Sequence, residues 1–152
     1  MKIEEKIKQL GIELPESAKP AAMYIPVKQL GKALYVSGQI PFVNGQLVCT
    51  GKVGKERTLQ EAEEAARICA INIIAAVKDY IGDLDKVANV VKIQAFVSSE
   101  VGFMQQHIVV NAASQLFYDI FGEAGRHART AVGINQLPMD ATVEVEAILE
   151  II

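Results

Sequence analysis

The chain has no tryptophan, only two cysteines and two histidines, and no long apolar run. Cys49 and Cys69 lie far apart, one in a turn region and one on a predicted helix, and neither is part of a CxxC motif. With His107 and His127 isolated as well, no zinc-ligand spacing exists, and buried, reduced thiols in a reducing compartment are the expectation. The N-terminal Met1-Lys2-Ile3-Glu4-Glu5-Lys6 places charge where a secretion signal needs apolar residues, and no stretch approaches a membrane span. A cytoplasmic location is expected. The net charge of −3 gives no whole-chain field for nucleic acid.

Apolar side chains are abundant. They make up 51% of the 152 residues, and the mean hydropathy of +0.23 is high for so short a chain. One domain of this length buries about two-thirds of its unfolded surface. The excess implies apolar surface hidden against another subunit.

The pattern predicts an α+β fold. Ile3, Ile7 and Leu10 at helical spacing, closed by Gly11, predict a short amphipathic helix. Pro15, Pro20 and Pro26 punctuate the stretch that follows. A hairpin is expected from Tyr24–Leu30 and Ala33–Gln39 around Gly31-Lys32, and Asn44-Gly45 signals a turn into a short strand at Gln46–Cys49. Thr58-Leu59-Gln60-Glu61 reads as a capping box. The helix it opens has an inner face of Leu59, Ala62, Ala66, Cys69, Ile73, Ala76 and Tyr80, and ends at Gly82. Lys86–Val97 is a predicted strand with Val87, Val91, Ile93, Ala95 and Val97 on one face. Val101–Phe121 is a second long helix with Ile108, Ala112, Leu116 and Ile120 inside. The run Gly51–Thr58 has Gly-Lys pairs but misses phosphate-loop spacing, and reads as a solvated loop.

The last segment carries the chemistry. His127–Ile134 and Thr142–Leu149 both read as strands, joined through Leu137-Pro138-Met139-Asp140 into an expected final hairpin. Arg129 lies in the first strand, and a half-buried guanidinium is costly unless an anion answers it. That anion is either a ligand's or a glutamate of the next strand in a permanent ion pair. In that next strand Val143, Val145, Ala147 and Leu149 share one face, and Glu144 and Glu146 the other.

Two ordered blocks, Leu34-Tyr35-Val36-Ser37-Gly38-Gln39-Ile40-Pro41 and Ala128-Arg129 through Leu137-Pro138 to Glu144-Val145-Glu146, resemble the signature of the reactive-intermediate deaminase family, also called the YjgF family. The resemblance runs from about Ala21 to Ile152, which makes 1–20 a short helix and linker and 21–152 a single domain. It implies a chorismate-mutase-like two-layer α+β fold, a mixed sheet of about six strands with two long helices on one face. It also implies a homotrimer with sites at subunit interfaces.

The activity implied is hydrolysis of small carboxylate-bearing enamines and imines, such as 2-aminoacrylate and 2-iminopropionate, to a 2-keto acid and ammonia. Arg129 would grip the substrate carboxylate, and Glu144 would place water and move protons. Carried over one by one, Tyr24, Ser37, Gly38, Asn111 and Ala131 fall at substrate-binding positions, the last through a backbone carbonyl near Ala131 and Val132. No metal or organic cofactor is needed for such chemistry. Where many members have cysteine two residues after the arginine this chain has Ala131, with Thr130 and Gly133 further departures typical of a divergent branch.

The roles of Glu146 and His127 stay open; a neighbour one removed from Arg129 is expected to point away from it. A non-catalytic trimeric carboxylate binder or regulator would use the same Arg129. A ribonuclease or translation-inhibitor role, held by some members, is disfavoured by the acidic balance and the few aromatics.

Overall fold

The computed structural model describes residues 2–19 and 22–152; the break read at Pro20 and the boundary read at Ala21 lie outside the described residues. Helix α1 (Lys2–Gln9) is too short to persist alone and is held by tertiary contacts. The Asp85 carboxylate accepts from the Lys2 and Ile3 amides, both at 2.9 Å, and Ile7 is buried in the main core together with Ile12.

The chain then forms β1 (Val27–Leu30), β2 (Ala33–Gln39), and a separate two-stranded ribbon of β3 (Phe42–Val43) and β4 (Gln46–Leu47) around the Asn44-Gly45 turn. Helix α2 (Leu59–Ile81) starts at Thr58, whose hydroxyl accepts from the Glu61 amide at 3.2 Å. Only half of the expected capping box forms, because the Glu61 carboxylate pairs with Arg57 at 2.9 Å instead. The predicted alanine-rich inner face is buried from Ala62 to Ala76, but Tyr80 is exposed, its hydroxyl turned to Gln29. Asn72, buried in the same helix, donates to the carbonyls of Ile40 and Phe42, so it is satisfied where it would otherwise be costly.

Strand β5 (Val87–Ser98) leads to α3 (Gln106–Phe121), which begins five residues later than the pattern suggested. Gly102 adopts a left-handed conformation (φ 86°) that a helix cannot accommodate, so Val101–Gln105 stays irregular. The buried stripe of α3 is Val109, Val110, Ala113, Leu116, Phe117 and Ile120; Ile108 and Ala112 only flank it.

The last strands are β6 (Ala128–Ile134) and β7 (Val143–Ile151). The main sheet has five strands in the order β1-β2-β7-β5-β6, antiparallel throughout except for the parallel β5–β6 pair that α3 connects. The expected final hairpin therefore does not exist. The chain leaves the sheet edge at β6, passes through a short 3-10 turn at Pro138–Asp140, and returns on the far side of β5. Both long helices cover the face bearing Leu34, Val36, Ile93, Ala95, Val97 and the valines of β7.

Strand β5 has register shifts around Ala88 and Val91 against β7. The extra residues change which side chains face inward: Val90 and Ile93 are both buried, whereas Val91, expected inside, is exposed. Among the described residues no helix is long and apolar enough to cross a membrane. Both cysteines are free and buried, as expected.

Candidate functional site

Register across the sheet decides where each expected site residue points. Arg129 pairs with Ile93, and Ile93 with Ala147, so Arg129 lies in an inward-facing row. At the edge strand that row meets the outer flank of α3. The Arg129 Nη1 donates to Asn111 Oδ1 at 2.9 Å and Ser114 Oγ at 3.2 Å, and Nη2 donates to the His107 carbonyl at 3.2 Å. All three partners are neutral. The ion-pair alternative fails among the described residues, because no carboxylate answers the guanidinium.

A guanidinium has five N–H donors. Three here are used, and one N–H on Nε and one on Nη2 are left to donate to an anion. Arg129 lines a cavity of about 570 Å³ together with Asn111, Ser114, Tyr118, Arg126 and His127 among others, and no acidic side chain is in that lining.

Glu144 is on the other face. It pairs with Phe96, in a row with Gln94 and Glu146, and is half-buried. Burial pushes its carboxyl above the ordinary range, and the neighbouring Glu146 charge adds to that. Its place is set by Gly38. Between Val36 and Gln39 the β2–β7 register shifts, so Ser37 and Gly38 form a bulge beside Glu146. A Cβ on Gly38 would stand 2.2 Å from Glu144 Oε1, so the carboxylate rests directly on the glycine backbone. The Ser37 hydroxyl donates to the Ile25 carbonyl at 2.7 Å, tying the bulge to the segment that carries the exposed Tyr24.

The expected residues thus form two groups. Arg129 and Asn111 meet on the helix side of the sheet edge; Glu144, Ser37 and Gly38 meet on the opposite face, with Tyr24 at its margin. Ala131 pairs with Ala95 and packs against the core. β6 and β7 are two strand spacings apart, and Glu144 is displaced three residues along the sheet. The two backbones are therefore about 14 Å apart, with side chains on opposite faces. No small molecule bridges them within one subunit.

His127, expected to point away, instead faces the Arg129 cavity, its Nε2 2.9 Å from Ser114 Oγ. Residues two apart on a strand share a face, and that rule favours the observed placement. Ser114 went unnoticed in the sequence; its spacing of three from Asn111 on a helix was the available signal. The Gly51–Thr58 loop turns Lys52 inward to Ser98 Oγ at 3.3 Å, which is a structural role.

The sequence model of one family, described as YjgF/chorismate mutase-like, putative endoribonuclease, matches residues 4–151. Protein TCP17 of Trypanosoma cruzi is 42% identical over 151 residues, covering 99% of this chain and 94% of that protein. RutC family protein PM1466 of Pasteurella multocida is 32% identical over 131 residues, covering 85% and 89%. The crystal structure of the protein Atu1372 from Agrobacterium tumefaciens superposes with a TM-score of 0.93 at 46% identity, covering 99% of this chain and 92% of that one.

Proposed function

The chain belongs to the YjgF/chorismate-mutase-like family, and from that premise we propose that it hydrolyses small carboxylate-bearing enamines or imines to a 2-keto acid and ammonia, at sites completed between two subunits of a homotrimer. The observation that carries the reading is the guanidinium of Arg129, which is held by three neutral acceptors, has two N–H donors left over and lines an open cavity.

The chemistry asks little more of the protein. The substrate carboxylate docks on Arg129 and fixes the imine carbon in place. Glu144 takes a proton from water as its oxygen bonds to that carbon, and the π pair of the C=N bond goes to nitrogen. The same proton is then delivered to nitrogen, giving a carbinolamine. Glu144 next takes the hydroxyl proton and passes it to nitrogen as the C–N bond breaks, so that ammonia leaves, the keto acid forms and the carboxylate is regenerated. An enamine first tautomerises to the imine, a proton leaving nitrogen as one is gained at the terminal carbon. A carboxyl that both accepts and returns a proton works best when its pKa lies above the ordinary range, and burial beside Glu146 provides that.

The two groups lie on opposite faces of one sheet, so the reading requires Arg129 of one subunit to face Glu144 of another. The outer sheet face is suited to such an association, with Tyr35, Val91 and Val132 exposed on it or at its margin. Working as separate subunits, the same chain would bind carboxylates without turning them over, and that is the second reading the geometry supports.

Subunit mixing decides between the two. Arg129→Ala and Glu144→Gln are each expected to be inactive toward 2-iminopropionate generated in situ. Mixed trimers of the two restore intact sites, about a quarter of the wild-type number for random assembly. Mixed oligomers that form yet stay inactive would overturn the shared site.

A further inference from the structure

His127 Nδ1 lies 2.7 Å from the carbonyl oxygen of Gly125. A carbonyl only accepts, so Nδ1 carries the proton, and Nε2 of the neutral ring is an acceptor. The Ser114 hydroxyl, 2.9 Å from Nε2, donates to it. With its proton committed there, the serine oxygen presents its lone pairs to Arg129 Nη1 at 3.2 Å. The chain has one polarity: guanidinium to hydroxyl, hydroxyl to imidazole, imidazole to carbonyl.

Its far end is closely packed. The Phe117 ring meets the imidazole edge-on, with centroids 5.7 Å apart and planes at 79°, and Gly125 is pressed so closely on α3 that a Cβ there would lie 2.2 Å from the Phe117 carbonyl oxygen. We propose that Ser114 and His127 are positioning residues for Arg129, a directed hydrogen-bond relay that turns the free Nε and Nη2 donors of the guanidinium toward a small carboxylate. The proposal rests on the reading of Arg129 as the carboxylate anchor.

The relay needs the neutral imidazole. A protonated ring would donate from Nε2, the serine could no longer donate to it, and a second cation would stand beside Arg129. The surroundings favour the neutral form. Burial pushes the His127 pKa below its ordinary value and the Arg129 charge acts in the same direction, against the opposing pull of the Gly125 carbonyl. The charged groups nearby are Arg129, two residues on in β6, and Arg126 with Glu123 in the preceding turn; α3 contributes the Tyr118 phenol and the amides of Asn111 and Gln115. No acidic side chain lines the cavity to hold a proton on the ring.

Glutamine separates positioning from bulk, because its Oε1 reaches about as far as Nε2 and accepts without titrating. With pyruvate as the probe and calorimetry as the readout, Ser114→Ala and His127→Leu are expected to weaken binding about tenfold, while His127→Gln stays within about threefold of wild type. In turnover the first two raise KM and leave kcat within a few-fold, since Glu144 is untouched. Binding lost in Arg129→Ala but unchanged in Ser114→Ala and His127→Leu overturns the relay and leaves the anchor standing.

Should wild type not bind pyruvate at all, the anchor fails, and the relay is judged by ring-nitrogen NMR. A protonated Nδ1 and an accepting Nε2 that shifts on Ser114→Ala supports it. An Nε2 signal indifferent to Ser114, or a ring protonated on Nε2, overturns it.

Discussion

Gly38→Ala sets the position of one carboxylate against the integrity of the fold. The added Cβ would lie 2.2 Å from Glu144 Oε1, 2.9 Å from Cδ and 3.1 Å from Cγ, so the nearest oxygen is about 1.2 Å inside the ordinary contact limit of 3.4 Å. Those atoms are the end of a flexible side chain, so the clash is relieved by rotating Glu144 off its present rotamer. That costs about 0.5–1.5 kcal/mol. A displacement of about 1 Å in a reacting group, by contrast, lowers turnover about 100-fold. The expected signature is a melting temperature a few degrees below wild type, an almost unchanged affinity for pyruvate, and a kcat on 2-iminopropionate reduced about 100-fold. The double variant with Glu144→Ala has nothing left to clash and should recover the stability but not the activity. A Gly38→Ala protein that turns over within about threefold of wild type would refute the assignment of Glu144 as the proton-transfer group, because the carboxylate cannot both remain in place and share that space.

Two further outcomes follow from the same geometry. Gly125→Ala presses on the Phe117 carbonyl, which is helix backbone and cannot swing aside, so it should destabilise the protein by about 2–3 kcal/mol in denaturant titration, more than Gly38→Ala. Equal effects would show that the 122–125 turn yields freely. The raised pKa of Glu144 has a definite sign for stability. In the window above the ordinary carboxylate value the folded state keeps a proton that the unfolded chain has released, so this residue's contribution falls as pH rises through it. Glu144→Gln removes that slope, and its melting temperature should gain on wild type steadily from acid toward neutral pH; a constant difference would show that burial does not perturb the group.

Local pattern and distant pairing were not equally legible in the chain. The alternation of β7 placed Glu144 and Glu146 on the face away from the helices because a strand's period of two needs no partner to define it. The Gly31-Lys32 turn and the extent of β2 were readable for the same local reason. The neighbours of β7 were not. A β6–β7 hairpin and a β5 insertion between them have the same local sequence, and only the crossover through α3, covering the sheet, distinguishes them. The Arg129 environment followed that error, since the guanidinium, whose answering anion was to be either a ligand's or a glutamate of the next strand, is held by an asparagine, a serine and a carbonyl of α3. Bulges were equally hidden: nothing in Val90-Val91-Lys92 announces that one valine stands outside the ladder. Ser114 and His127 were visible as residue types, but their joint orientation depends on where a helix settles against an edge strand.

The irregularity at Val91 has a consequence for how this sheet tolerates change. Residues 92–97 of β5 are zipped to partners on both sides, whereas the stretch before them is paired only with β7. Loss of that single valine would leave Val90 opposite Leu149 and Lys92 opposite Ile148 in an unbroken ladder, with Val90 still facing the core. The odd residue acts as a parity buffer. A one-residue difference there is absorbed at the bulge itself, and the row beside Glu144 keeps its orientation.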